Sequence, residues 1–451
     1  MSEALALAER ILEDARGSEE VEIYLSRGVD TEVRVYQGEI EHLSQASGDG
    51  VGVRVLTDGP GGARVGTAWV GSLEPSVVAD ALSEARDNAR FATEDEFLTF
   101  ARPDGVAAAE LTLRDDAVLS TPLDHKIDLA IELERMVRDA DDRIRQVEAT
   151  DYSDYVAEAA IVSTMGISAS YARSGAFLSV EVIANDGNQD QTGWGLSVGR
   201  APAELDTATA AGDAVMRATR MLGAVKPASM KCTAVFDQRT AATLLSVIGA
   251  ALSGEAVVRG RSFLADRVGD VVASPLVTVV DDPTDSRHFA ASAFDGEGLA
   301  CRRNVLIDDG VLRGFVFDTV SARRAGTVST GSAVRGGIAG SPSAGCRAMQ
   351  LRPGEPTLEE ILRLVRDGVY VTSVSGVHSG VNPVSGDFSV GVTGLRIRDG
   401  QLAEPLREIT VASTLQRMLL DVVAVGSDIE WLPGSAAGPS LAIEGIAVSG
   451  V

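Results

Sequence analysis

Histidine and cysteine are scarce in this sequence, with four and three among 451 residues. The cysteines, Cys232, Cys301 and Cys346, are odd in number and far apart. That excludes a disulfide framework and fits a reducing compartment. The histidines are His42, His125, His288 and His378, and none is followed by a glutamate. A zinc-protease HExxH needs two imidazoles one helical turn apart with the glutamate beside the first, so no such motif exists here. Each histidine reads as a surface or loop residue. His288 follows Asp281, Asp282 and Asp285 and precedes FDGEG. That set of oxygens suits a cation, but a solvated loop is the simpler reading.

Other absences narrow the field further. No apolar run approaches the ~20 residues of a membrane span. The N-terminal MSEALALAERILEDARG has acids among its apolar residues and no basic leader region, unlike a secretory or transit peptide. The expectation is a soluble, cytoplasmic chain. Basic residues are outnumbered 65 to 40 by acidic ones, for a formal charge of −25. Such a surface repels nucleic-acid phosphates and anionic lipids, so neither nucleic acid nor membrane is expected as a partner. Aromatics make up only 4% of the chain, which leaves Val, Ile, Leu and Ala to fill the cores. There is no GxSxG elbow and no GxxxxGK[ST] phosphate loop. GDGVG at 48–52 lacks dinucleotide-binding spacing and runs into a strand, so its glycines serve turns and close backbone approach.

What is present is a succession of strands and helices. An amphipathic helix is expected over 3–16. Strand patterns follow at 21–25, 32–36, 39–43, 51–56 and 65–70, then a helix from Pro75 to about Phe91. Residues 97–122 have weak periodicity and read as a linker. A helix at 126–140, strands at 144–152, 156–163, 168–174, 177–185 and 194–200, and a small-residue helix at 205–222 form a second module. The last module opens with a strand at 232–236 and an Ala-rich helix at 239–258. Asp309–Gly310 and Asp399–Gly400, each between apolar alternations, signal hairpins. Thr357 and Glu360 make a capping box for a helix that Gly368 would stop. The predicted class is α+β: a mixed N-terminal lobe of strands and helices plus a largely antiparallel β C-terminal domain. The modules are placed at 1–105, 106–227 and 228–451.

Glycine- and serine-rich loops concentrate in the last module, at 329–337, 374–389 and 434–440. Such loops expose backbone groups that hold a peptide in extended form; ordinary turns are the competing reading. GSPSAGC at 340–346 matches no nucleophile spacing, and a lone cysteine such as Cys346 is more often an inert small apolar residue.

These segments together resemble the TldD/PmbA family, once described as modulators of DNA gyrase. The first module carries QGEIEHLSQASGDGVGVRVLTDGPGGARVGTA, with Pro60 where the family often has Arg. The last carries RSFLADRVG, VVDDP, AFDGEG, LIDDGVLRGFVFDTVSARRAG, STGSAVRG, NPVSGDFSVGVTG and VAVGSDIEW. The resemblance implies a heterodimeric peptidase. One subunit, TldD, carries a zinc HExxxH on a helix early in its last module. The other, TldE or PmbA, lacks the motif and completes the cleft. On TLLSVIGAALSGEAVVRGRSFL, Ser246 stands at the first histidine, Val247 at the glutamate and Ala251 at the second histidine. Hydroxyl and methyl groups do not replace imidazole on zinc. A late cysteine of TldD also has no counterpart in LPGSAAGPS.

The expectation is therefore a metal-free subunit, with no catalytic and no metal residues of its own, and zinc in a TldD-like HExxxH partner. The substrate would be an unfolded or leader peptide. Ser329, Thr330, Gly331 and Arg335 are the candidates for lining the peptide cleft, Arg335 by pairing with a peptide carboxylate, and His378 and Asn382 come after them. Two alternatives stand beside it. One is a stand-alone homodimer that binds a peptide, a toxin or gyrase. The other is an enzyme using Cys346 or a scattered metal site.

Overall fold

Alternating side chains on unusually long strands build the first half of the molecule. The computed structural model describes residues 2–450 and divides into two units. The first comprises the chain up to Leu222 together with Ala293–Ala300 and Arg335–Pro342. Its strands are β1 (Glu20–Tyr36), β2 (Glu39–Gly59), β3 (Gly62–Val70), β4 (Ile144–Ser163), β5 (Ser168–Asn185) and β6 (Asp190–Gly199). They form one antiparallel sheet in the order β3-β2-β1-β4-β5-β6. The pairs of short strands expected at 21–25 and 32–36, at 39–43 and 51–56, at 144–152 and 156–163, and at 168–174 and 177–185 are each one continuous strand. Polar and glycine interruptions such as Ser26–Gly28 stay in the ladder because cross-strand pairing continues through them.

The period-2 pattern gives this sheet two faces. Val21, Ile23, Leu25, Val51, Val53 and Val55 pack with α1 (Glu3–Leu12) and α2 (Pro75–Phe91). Val33, Val35, Leu178, Val180 and Val182 pack with α4 (Leu123–Ala140) and α5 (Thr207–Thr219), beyond the short α3 (Ala117–Ser120). The opposite face offers Tyr24, Ala159 and Ile161 to Ala101, Leu299 and Ile338. Gly52 faces the Ile338 backbone so closely that a β-carbon there would overlap the Ile338 carbonyl. That is the close approach the GDGVG glycines serve. The stretch 97–122 is largely irregular, yet it is anchored. Phe100 is buried beneath the Arg54 guanidinium at 4.8 Å from its ring centre, and Ser174 N donates to Leu113 O at 2.9 Å.

The second unit comprises Gly223–Ser292, Cys301–Val334 and Ser343–Val451. It begins with β7 (Met230–Phe236), α6 (Gln238–Ala251), α7 (Gly254–Val258), β8 (Val279–Asp281), β9 (Asn304–Asp308), β10 (Val311–Leu312) and α8 (Thr319–Arg324). It continues with β11 (Ala333–Val334), β12 (Ser343–Ala344), β13 (Met349–Leu351), α9 (Leu358–Val365), β14 (Gly368–Ser375) and α10 (Val377–Gly380). It ends with β15 (Asp387–Arg398), β16 (Gln401–Thr414), α11 (Leu415–Leu420), β17 (Val422–Val425), β18 (Ala436–Ala437) and β19 (Leu441–Ser449). Strands β16-β15-β14-β7-β19 close on themselves through a β16–β19 pairing, with β17 added outside β19. A second sheet runs β10-β9-β8-β13-β18. Most pairs are antiparallel; β7–β14 and β13–β18 are parallel. The mixed α+β class holds for the whole chain.

Local chemistry explains the details. At both Asp-Gly hairpins the two turn residues have positive φ, 46° and 82° at Asp309–Gly310 and 49° and 77° at Asp399–Gly400, the conformation that favours Asp-Gly. The capping box of α9 forms, with the Thr357 side chain accepting from Glu360 N at 3.3 Å. That helix ends at Arg366, whose φ is 61°, and Gly368 instead opens β14. The single helix expected over 239–258 is broken into α6 and α7 at Ser253, which is extended (φ −73°, ψ 127°). Its hydroxyl donates to Ala344 O at 2.8 Å.

Candidate peptide-binding cavity

Helix α6 positions the site. Asp237 caps it, its carboxylate accepting from Thr240 N at 2.8 Å. One stripe, Ala241, Leu244, Leu245, Ile248 and Ala251, is buried in the core of the second unit. The opposite stripe carries Ser246, Gly249 and Ala250 into a cavity of about 490 Å³. Ser253, Glu255, Ala256, Arg259 and Arg261 continue the wall beyond the break, and Ala344, Gly345, Cys346, Met349 and Ser435 face them. Most of this lining is small or apolar, so a ligand backbone approaches closely. A β-carbon on Gly249 would lie 3.2 Å from the Met349 methyl. The hydroxyls of Ser246 and Ser435 lie 3.3 Å apart across the cavity wall.

The charges of the cavity are unevenly paired. Arg259 Nε donates to Glu255 Oε1 at 2.5 Å. Arg261, exposed at the rim, has no ion pair among the described residues. Burial pushes the Cys346 thiol well above its usual range, and the nearby Asp281 carboxylate acts in the same direction. A thiol held protonated is a poor nucleophile and a poor metal ligand.

Behind this wall lies Asp281, fully buried on β8. Its Oδ1 accepts from Arg347 N at 2.9 Å and Ala348 N at 2.7 Å. Its Oδ2 is buried without a hydrogen-bond partner. Burial pushes its carboxyl up to about 6 despite those two backbone bonds. His288, expected on a solvated loop, is instead buried at 1% exposure, with Trp431 edge-on at 5.8 Å. Burial lowers its pKa. Asp285 is tied to Arg287 at 2.6 Å, and the Arg287 guanidinium lies 4.7 Å from the Trp431 ring centre. This acidic segment is a packed loop. No group of three His, Cys, Asp or Glu placed to hold a metal occurs among the described residues.

A zinc ion does not fit the residues at the HExxxH positions. Ser246 is exposed to the cavity, Val247 packs partly against the core, and Ala251 is fully buried. None of the three offers a nitrogen, thiolate or carboxylate donor.

The sequence-derived cleft residues are dispersed. Ser329, Thr330 and Gly331 form a turn in the second unit. The Thr330 hydroxyl accepts from Phe317 N at 2.7 Å, and the Ser329 hydroxyl donates to Phe317 O at 3.2 Å. Gly331 has a φ of 66°. His378 and Asn382 are exposed on and after α10, and Asn382 Oδ1 accepts from Val384 N at 2.9 Å. Arg335 belongs to the first unit and is buried there. It pairs with Glu22, which also accepts from Arg54 at 3.1 Å, and it lies 4.9 Å from the Tyr24 ring centre. Burial would raise the Glu22 carboxyl, but Arg335 and Arg54 together hold it below the usual range. The charge intended for a peptide carboxylate thus already has a buried internal partner.

Arg259, Arg261, Glu255 and Ser435 were not singled out as site residues from the sequence. The sequence signal for the two arginines is RGRS at 259–262, a pair around a glycine just past a predicted helix end, and Ser435 lies in the glycine- and serine-rich loop at 434–440.

Comparison with known proteins agrees with this architecture. Residues 21–89, 116–222 and 229–450 match the models of domain 1, the central domain and the C-terminal domain of the PmbA/TldA metallopeptidases. The chain is 29% identical over 440 residues to the metalloprotease PmbA of Escherichia coli O157:H7, covering 95% of this chain and 92% of that protein. It is 26% identical over 454 residues to the metalloprotease PmbA homolog of Haemophilus influenzae, covering 100% and 96%. The crystal structure of TldE from Thermococcus kodakarensis superposes with a TM-score of 0.88 at 24% identity, over 99% of each chain, which establishes a shared fold.

Proposed function

The chain belongs to the PmbA/TldA metallopeptidase family, and from that premise we propose that it is the metal-free subunit of a two-subunit peptidase. In this reading a TldD-like relative with an HExxxH helix supplies zinc and the hydrolytic step. This chain contributes a wall that receives an unfolded or leader peptide. The observation that carries the proposal is the α6 face. Of the two positions where a zinc-bearing relative presents imidazoles, Ser246 faces an open, mostly apolar cavity and Ala251 is buried in the core, and neither side chain supplies a zinc donor.

That cavity suits binding and not bond cleavage. Hydroxyls such as Ser246 and Ser435 donate and accept hydrogen bonds to peptide groups. The hydrogen-bond partner of each is the other hydroxyl and not a base. The Cys346 thiol is held protonated. The carboxylate of the lining, Glu255, is tied to Arg259, and in this reading hydrolysis belongs to the partner.

Reconstitution tests the proposal. The chain is mixed with an HExxxH-bearing relative from the same genome, and cleavage of an unstructured peptide is followed by mass spectrometry. The expected result is cleavage by the mixture far above that of either chain alone. Cleavage by the relative alone at the full rate would contradict a subunit role.

A further inference from the structure

We propose that the α6 cavity is a receptor for the free C-terminal carboxylate of a peptide, with Arg261 as the group that reads the charge. The inference rests on the subunit reading and names the end of the substrate that this chain holds.

The chain carries a formal charge of −25, so an anion is received only where a local cation outweighs that field. At the cavity, Glu255 offsets Arg259 through the 2.5 Å bond between them. Arg261 is left as the uncompensated cation of the lining. A guanidinium presents parallel N–H donors that match the two oxygens of a carboxylate.

The rest of the lining identifies what the carboxylate is attached to. Gly249, Ala250, Ala256, Ala344, Gly345, Cys346 and Met349 make the wall small and apolar, which suits a compact apolar side chain beside the charge. The Ser246 and Ser435 hydroxyls, 3.3 Å apart, supply hydrogen bonds for peptide N–H and C=O groups. A volume of about 490 Å³ falls within the ordinary range for small-ligand sites, roughly 300–1,000 Å³. Phosphorylated ligands fit poorly. They need several cations or a cluster of backbone N–H donors, and only one uncompensated guanidinium lines this cavity. A peptide ending in small apolar residues satisfies the charge, the apolar wall and the hydroxyls together.

Isothermal titration of the full-length chain with the tripeptide Ala-Ala-Val, as free acid and as C-terminal amide, tests the inference. The acid is expected to bind at least about tenfold more tightly than the amide, a typical gain for a charge-assisted pair. Arg261→Gln is expected to bring the acid down to the affinity of the amide, and Arg261→Lys to keep part of the preference. Ala250→Phe, which fills the cavity, is expected to abolish binding of both. Arg261 is exposed, so its variants keep the fold, and circular dichroism verifies this. Equal binding of acid and amide, no binding of either, or an unchanged preference in Arg261→Gln would overturn the inference. Reconstituted cleavage is scored separately. Cleavage support without acid preference removes the carboxylate receptor and leaves the subunit role; acid preference without cleavage support does the reverse.

Discussion

The two units handle charge in opposite ways. In the first, charges are buried and closed on one another. Glu22 sits between Arg54 and Arg335. Lys126 meets Asp154 at 2.5 Å, and the Tyr152 hydroxyl donates to the same carboxylate at 2.5 Å. In the second, Asp281 is buried with only backbone N–H groups as its hydrogen-bond donors, and Arg261 stands at a cavity rim with no ion pair among the described residues. The first pattern fixes segments to a sheet. Arg335 and Ile338 tie Arg335–Pro342 to the strands of the first unit. The second leaves charge available to something outside the fold. An arginine is therefore informative only once its partner is known.

The largest test of this contrast removes the anion from the closed network. Glu22→Leu leaves two buried guanidinium groups without compensation, a loss of roughly 3–5 kcal/mol. In a unit of this size that lowers the thermal midpoint by about 10 °C, measured by scanning calorimetry. A midpoint within a degree of wild type would mean the network does not hold the first unit together.

Asp281→Asn sharpens the other half. The Asp281 carboxyl is raised in the folded state, from an ordinary 3.8 to about 6, so the fold binds this proton more tightly than the unfolded chain does. Its contribution to stability is complete below pH 3.8 and is lost as pH rises through about 6. Asparagine keeps an acceptor for Arg347 and Ala348 and never ionises. The variant is expected to gain about 2–3 kcal/mol over wild type between pH 4 and pH 8, read from urea midpoints across that range. A constant difference across pH would show that Asp281 does not titrate in the fold.

Smaller effects follow from the packing. Gly52→Ala forces the Ile338 backbone away from the sheet, at about 1–3 kcal/mol. Thr357→Ala removes the α9 cap, at about 1 kcal/mol. Both are read from unfolding midpoints. A cost for the cap equal to that of Glu22→Leu would erase the distinction between closed buried charge and ordinary local structure.

Elements with local signals were legible in the sequence. The capping box at Thr357–Glu360, both Asp-Gly hairpins and α2 from Pro75 to Phe91 follow from residues within one turn of each other. Strand continuity was not legible. Gly28 and Gly48 look like breaks, yet they pair across β1 and β2, because sheet pairing overrides local propensity. The break of the long helix depends on a tertiary bond from Ser253 to Ala344, 91 residues away. The site was half legible. The resemblance located α6 and Ser246, but Arg335 and Arg261 look alike in sequence. Only folding shows that Glu22 claims the first, and that no ion pair among the described residues claims the second.

The central claim is that this chain does not hold the metal. Its most direct test is the zinc content of the purified chain after zinc loading and desalting, by plasma mass spectrometry, beside its cleavage of an unstructured peptide. Far less than one zinc per chain and no cleavage without a partner are expected. One tightly held zinc per chain, with cleavage by the chain alone, would contradict it.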